Sequence, residues 1–198
     1  MNISKLFKYK WATLTNFTFL LSAGFHAWYH HPLTSIALCA IAICSFMYHY
    51  YTSIYHSWLE TGVDNIGIFH KMKMWQYADV SSIYLLFGIY PYEITHHLYW
   101  LLYLIPTVFL IFNKFNLIFK KWDPNTYIWV PAFGLSTIIY GFIYYPLFNM
   151  LAGLGSLLIA FMFSLSADKQ INLGNYKGYD NRHGFWHQAA AIAFMFIR

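Results

Sequence analysis

Apolar runs follow one another along almost the whole chain, broken near Pro32, Pro91, Pro124 and Pro146. A helix needs about 20 apolar residues to cross a bilayer, and proline marks places where helices start or stop. Seven runs qualify, at roughly 11–30, 32–57, 72–91, 95–112, 126–145, 146–166 and 181–197. The pattern predicts an all-α integral membrane protein, a seven-transmembrane-helix bundle built from residues 1–198 as a single domain. Charged residues make up 10% of the chain, against about 25% in soluble domains, which leaves no stretch for a separate soluble unit.

Charge distribution supplies the expected orientation. With seven spans, the amino terminus and alternate loops share one side. Lys5, Lys8, Lys10, Lys71, Lys73, Lys114, Lys120, Lys121, Lys169, Lys177 and Arg182 fall there, and only Arg198 falls opposite. Positive charge collects on the cytoplasmic side of membrane proteins, so the expectation is a multi-pass protein with a cytoplasmic amino terminus. The formal net charge of +5 belongs to these loops, and no basic stripe points to nucleic acid. The basic first residues followed by an apolar run resemble a signal peptide, but the run is too long and lacks a small-residue cleavage site. It reads as a retained first helix. Cys39 and Cys44, five residues apart on one run, point to different faces of a helix and read as small apolar residues rather than a disulfide. Gly153 and Gly155 are expected to permit close helix packing.

Against this background, three fragments stand out: Ser45-Phe46-Met47-Tyr48-His49, a lone Asp79, and His183-Gly184-Phe185-Trp186-His187. Ionisable groups at membrane depth are costly and mark functional sites by default. Span parity puts all three fragments on the Lys-rich side. At about 1.5 Å per residue, His49, Asp79 and His187 lie within about one helical turn of the same depth. His183 and His187, four residues apart, project from one helix face, as do Ser45 and His49. Three neutral imidazoles are the ligand set of a catalytic zinc, with the fourth position open to water whose pKa falls towards about 7. The expected metal ligands are therefore His49, His183 and His187, holding Zn2+. Asp79 is the expected catalytic base or orienting carboxylate, and Ser45 the expected hydrogen-bond donor.

The three fragments together, Ser45-x-x-x-His49, the intramembrane Asp79 and the final-helix His183-x-x-x-His187, resemble the signature of the CREST superfamily of seven-helix membrane hydrolases. That superfamily contains alkaline ceramidases, progestin and adiponectin receptors, the Per1 lipid-remodelling proteins and the transmembrane protein 8 family. Ser45-Phe46-Met47-Tyr48-His49, the context Trp75-Gln76-Tyr77-Ala78-Asp79 and the long connection between them are most similar to the transmembrane protein 8 branch. The resemblance implies a zinc held by His49, His183 and His187, with Asp79 and Ser45 acting on the bound water. It implies hydrolysis of an amide or ester bond in a membrane lipid, near the cytoplasmic side. Met1 to Trp11 contains no acidic residue, so the calcium-binding acidic cluster of the ceramidases has no counterpart there.

Two other readings share parts of this pattern. A receptor-like seven-helix protein with a structural zinc uses the same ligands. A second histidine group, His26, His30 and His31 with Glu93, His96 and His97, suggests an iron-dependent lipid desaturase or hydroxylase. Span parity places that group on the Lys-poor side, where interfacial imidazoles hydrogen-bond to water and headgroups. Glu60, Asp64 and Asp180 read as solvated loop residues near the mouth of the first site.

Overall fold

The computed structural model describes residues 9–105, 139, 142–143 and 146–196. Its elements are α1 (Trp11–Thr15), α2 (Thr18–Trp28), α3 (Pro32–Leu59), α4 (Ile66–Thr95), a 3₁₀ helix (Leu98–Tyr103), α5 (Leu147–Asn172) and α6 (Tyr176–Phe196). Among the described residues the packing order is α5 on α6, α6 on α2, α2 on α3 and α3 on α4, with α1 set against both α6 and α3.

Local chemistry explains several boundaries. α3 begins with Pro32 in its first turn, where a missing N–H costs nothing. Its next free amides, Leu33 N and Thr34 N, each donate at 2.8 Å to the Glu93 carboxylate of α4. α4 starts at Asn65, whose side chain accepts from Ile68 N at 3.1 Å, and ends at His96 in the left-handed conformation (φ 57°). Pro91, expected to end that helix, lies inside it, and the Thr95 hydroxyl donates to the Pro91 carbonyl at 2.8 Å. Gly62 (φ 76°) and Gly174 (φ 68°) turn the chain between α3 and α4 and between α5 and α6, a backbone region glycine enters without steric penalty.

The first expected span, 11–30, is two helices. Asn16 Nδ2 donates to the carbonyls of Ala12 (2.9 Å) and Thr13 (3.4 Å). The backbone then tightens, with Phe17 N bonding Leu14 O and Phe19 N bonding Asn16 O. A short amide side chain that hydrogen-bonds the nearby backbone competes with the helical ladder, and here it breaks it.

Phe19 and Ala23 of α2, Leu38 and Ile41 of α3, Leu86 and Tyr90 of α4, Met150 of α5 and Ala191 of α6 share one apolar core. Beside it, α3 buries a polar stripe: Ser45, His49, Thr52, Ser53, His56 and Ser57. These positions recur at helical spacing: His49 and His56 meet rings of α6, Ser53 accepts from Tyr9 N, and Ser45 pairs with Asp79 of α4. Gly155 has open space where a Cβ would sit, so the expected close approach does not occur there. Cys39 and Cys44 are free thiols.

The seven-helix membrane bundle is corrected by these observations. Among the described residues two helices, α3 and α5, are long and apolar enough to cross a membrane. α2 has only 11 residues. α4 carries Lys71, Lys73, Asp79 and Glu93, and α6 carries Lys177, Asp180 and Arg182, and with their uncharged polar residues neither helix reaches the apolarity of a span. The expected span at 95–112 begins as the 3₁₀ helix, and its remainder beyond residue 105 lies outside the described residues. The span at 126–145 lies outside them too, apart from 139 and 142–143. The multi-pass topology with a cytoplasmic amino terminus depended on counting seven spans and is withdrawn with them.

Glu93 thus serves as a remote cap for α3. Replacing it by alanine leaves two helix-start amides without their acceptor and should lower stability by about 1 kcal/mol, measured by chemical denaturation.

Candidate metal centre

His49 comes from the polar stripe of α3, and His183 and His187 from successive turns of α6. The structure brings the three together. Their ring centroids are separated by 4.5 Å (His49 to His183), 4.7 Å (His49 to His187) and 4.8 Å (His183 to His187). One nitrogen from each lies within 4.8 Å of the other two. His49 and His187 are buried.

The hydrogen bonding of these rings is uneven. His187 Nδ1 lies 3.0 Å from the Ala12 carbonyl and 3.2 Å from Thr15 Oγ1. A carbonyl only accepts, so Nδ1 carries the proton and Nε2 holds a lone pair. That Nε2, both nitrogens of His49 and Nδ1 of His183 are buried without a hydrogen-bond partner. An unsatisfied buried polar atom costs about 1–3 kcal/mol, and native structures rarely gather several in one place. The set fits a divalent cation such as zinc, which takes imidazole lone pairs directly. The Ala12 bond matches the usual second hydrogen bond of a metal-bound histidine. Burial depresses the His183 pKa to about 3. Burial, then the neighbouring His183, depresses the His187 pKa well below its ordinary value, against the Ala12 bond. Both rings are therefore neutral at pH 7, the form that ligates.

Asp79 and Ser45 stand apart from the three rings as a pair. The Asp79 carboxylate is not in the group of closely spaced ligand atoms. Burial raises its pKa to about 7, while the hydrogen bond from Ser45 opposes the rise. Since Ser45 is one turn before His49 on α3, the pair lies about one helical turn along from the imidazoles.

Several residues that shape the site were not among the expected ligands or catalytic groups. A cavity of about 10 Å³ is lined by Tyr9, Ala12, His49, Thr52, Ser53, His56, Tyr179 and Asp180, about the space of one water molecule. His56 stacks on Tyr176 at 4.3 Å. Its seven-residue spacing from His49 was the available clue. Asp180, read as a solvated loop residue, is buried within α6 and accepts from Trp11 N and Ala12 N. Glu60 and Asp64 are exposed in the turn between α3 and α4, as expected, where Glu60 accepts from the Tyr9 hydroxyl and Asp64 from the Tyr55 hydroxyl at 3.1 Å.

The second histidine group does not gather into a metal site among the described residues. His26 Nε2 donates to the Phe194 carbonyl at 2.7 Å, and Glu93 caps α3. His30 and His96 occupy left-handed turn positions, and His97 is exposed. An iron-dependent oxygenase built on that group is not supported.

Comparison with protein-family models, curated proteins and solved structures finds no match to this chain. The resemblance to the CREST superfamily is accordingly not upheld: no family model matches, and the described residues do not form its seven-helix bundle. The intramembrane lipid hydrolase expected from that resemblance, and the receptor-like alternative on the same bundle, lose the architecture both require.

Asp79 gives a pH test of the site's burial. Its native pKa of about 7 lies above the ordinary 3.8. The stability contributed by the protonated form is therefore complete below about pH 4 and is lost as pH rises through 7. Asp79→Asn mimics the protonated state, so denaturation of metal-free protein should show the variant gaining on wild type between pH 5 and pH 8. A stability difference that stays constant over that interval contradicts the assignment.

Proposed function

We propose that the chain is a metalloenzyme whose single centre, His49, His183 and His187, holds one divalent cation such as zinc. The observation that carries this reading is the set of unpartnered buried nitrogens on three converging rings, together with the Nδ1–H of His187 held by Ala12. Structural zinc sites use four protein ligands, whereas catalytic ones use three and keep a position open. Among the described residues no fourth His, Cys, Asp or Glu joins the group, which favours the open type.

When bound, such a cation supplies Lewis acidity and a hydroxide nucleophile at neutral pH. The chemistry that such a centre fits is metal-assisted hydrolysis. The protein's own contribution is orientation and proton handling. Asp79, with a pKa of about 7, takes up and releases a proton at neutral pH, and Ser45 orients it. A water-sized cavity adjoins His49 on its His56 side. Association with a membrane accords with α3 and α5, since α5 presents Phe148, Ile159 and Met162 outward.

Purified full-length protein should carry about one divalent cation per chain, lost in His187→Ala. Asp79→Ala should keep the metal while abolishing hydrolysis of a small ester probe. Protein that binds no divalent cation with all three histidines intact contradicts the proposal.

A further inference from the structure

One face of α6 is devoted to α1. Asp180, Gly184 and His187 recur at spacings of four and three on that helix, which places them on one side, and each meets the Trp11–Thr15 segment. Asp180 Oδ2 accepts from Trp11 N and Oδ1 from Ala12 N, both at 2.9 Å, so both carboxylate oxygens are engaged. A Cβ at Gly184 would fall 2.6 Å from Trp11 Nε1 and 3.2 Å from Thr15 Oγ1, so any larger residue there would have to displace the Trp11 indole. His187 Nδ1 then donates to the Ala12 carbonyl at 3.0 Å. Ala12 is thus gripped at both ends of its backbone, its N–H by Asp180 and its C=O by His187.

The Thr15 hydroxyl donates to the backbone carbonyls of Trp11 and Ala12, leaving its oxygen as a second acceptor for the His187 ring at 3.2 Å. Asn16 Nδ2 shares the Ala12 carbonyl at 2.9 Å. Both hydrogen-bond partners of Nδ1 are therefore acceptors belonging to α1. A ring held in this way keeps its proton on Nδ1 and presents Nε2, the buried nitrogen without a partner, towards His49 and His183.

We propose that Asp180 is the positioning residue of the three-histidine centre. It fixes the Trp11–Ala12 backbone, and through the Ala12 carbonyl it fixes the tautomer and orientation of His187. The proposal rests on the reading of His49, His183 and His187 as metal ligands. Asp180 does not touch the ion in this scheme. Its effect passes through one backbone residue to one ring nitrogen. Removing an outer partner of a metal-bound histidine typically lowers metal affinity about 10–100-fold, and Asp180 acts on such a partner.

The test uses full-length protein with ¹⁵N-labelled histidine, read by NMR without metal and by zinc competition titration. Wild type should show His187 protonated at Nδ1 and unprotonated at Nε2. Asp180→Ala should blur that signature into a tautomer mixture and weaken zinc binding about 10–100-fold. Thr15→Val should shift both readouts in the same direction by less, and Glu93→Ala, remote from α1, should leave both unchanged. If Asp180→Ala does not fold, Asp180→Asn decides: with one acceptor oxygen left, it should give an intermediate loss. An unchanged His187 tautomer together with wild-type zinc affinity in the Asp180 variant overturns the positioning role while the ligand reading stands. Failure of the wild-type protein to bind zinc overturns both.

Discussion

A buried imidazole is tolerated only when each nitrogen has something to bind, and that constraint organises the seam between α3 and α6. His49 contributes two nitrogens without a partner, and His183 and His187 one each. Apolar packing alone would expel such groups or fill the space with leucine and alanine, as happens in the adjoining core around Leu38 and Ala191. The seam instead keeps polar side chains along α3 from Ser45 to Ser57. A divalent cation held there would satisfy the lone pairs at one point of this seam, and a water-sized cavity adjoins His49 on its His56 side.

The helices adjoining the seam are arranged around it. α2 bridges α3 and α6, with Ser22 donating to the Ala191 carbonyl at 2.7 Å. α1 is a short piece broken from α2 by Asn16, and the break leaves the Ala12 carbonyl bonded by the side chains of Asn16 and His187. A straight helix across 11–28 would spend that carbonyl on its own ladder. The local irregularity frees the Ala12 carbonyl for side-chain donors, His187 among them, and Gly184 leaves room for the Trp11 indole beside α6.

His49, His183 and His187 were legible because their signal lies in side-chain identity and four-residue spacing, which survive any error in the surrounding fold. Span number was not legible in the same way. A helix buried in a protein core and a helix facing lipid are both apolar, and a run such as 72–91 reads alike in either setting. The charges at Lys71 and Lys73 in α4, and at Lys177, Asp180 and Arg182 in α6, were assigned to loops when they belong to helices. The role of α1 was invisible for another reason: its contribution is a backbone carbonyl, which every residue possesses. Asp180 was misplaced because a carboxylate beside a basic, glycine-containing stretch reads as a loop, and only the fold shows the two amides it accepts from.

X-ray absorption at the metal edge of zinc-loaded full-length protein addresses the centre most directly, because it reports ligand type without assuming an activity. Three imidazole nitrogens at about 2.0–2.1 Å and one further light atom are expected from His49, His183, His187 and the open position. A sulfur shell at about 2.3 Å, which would place the metal on Cys39 or Cys44, contradicts the three-histidine centre, as does a first shell with no imidazole scattering.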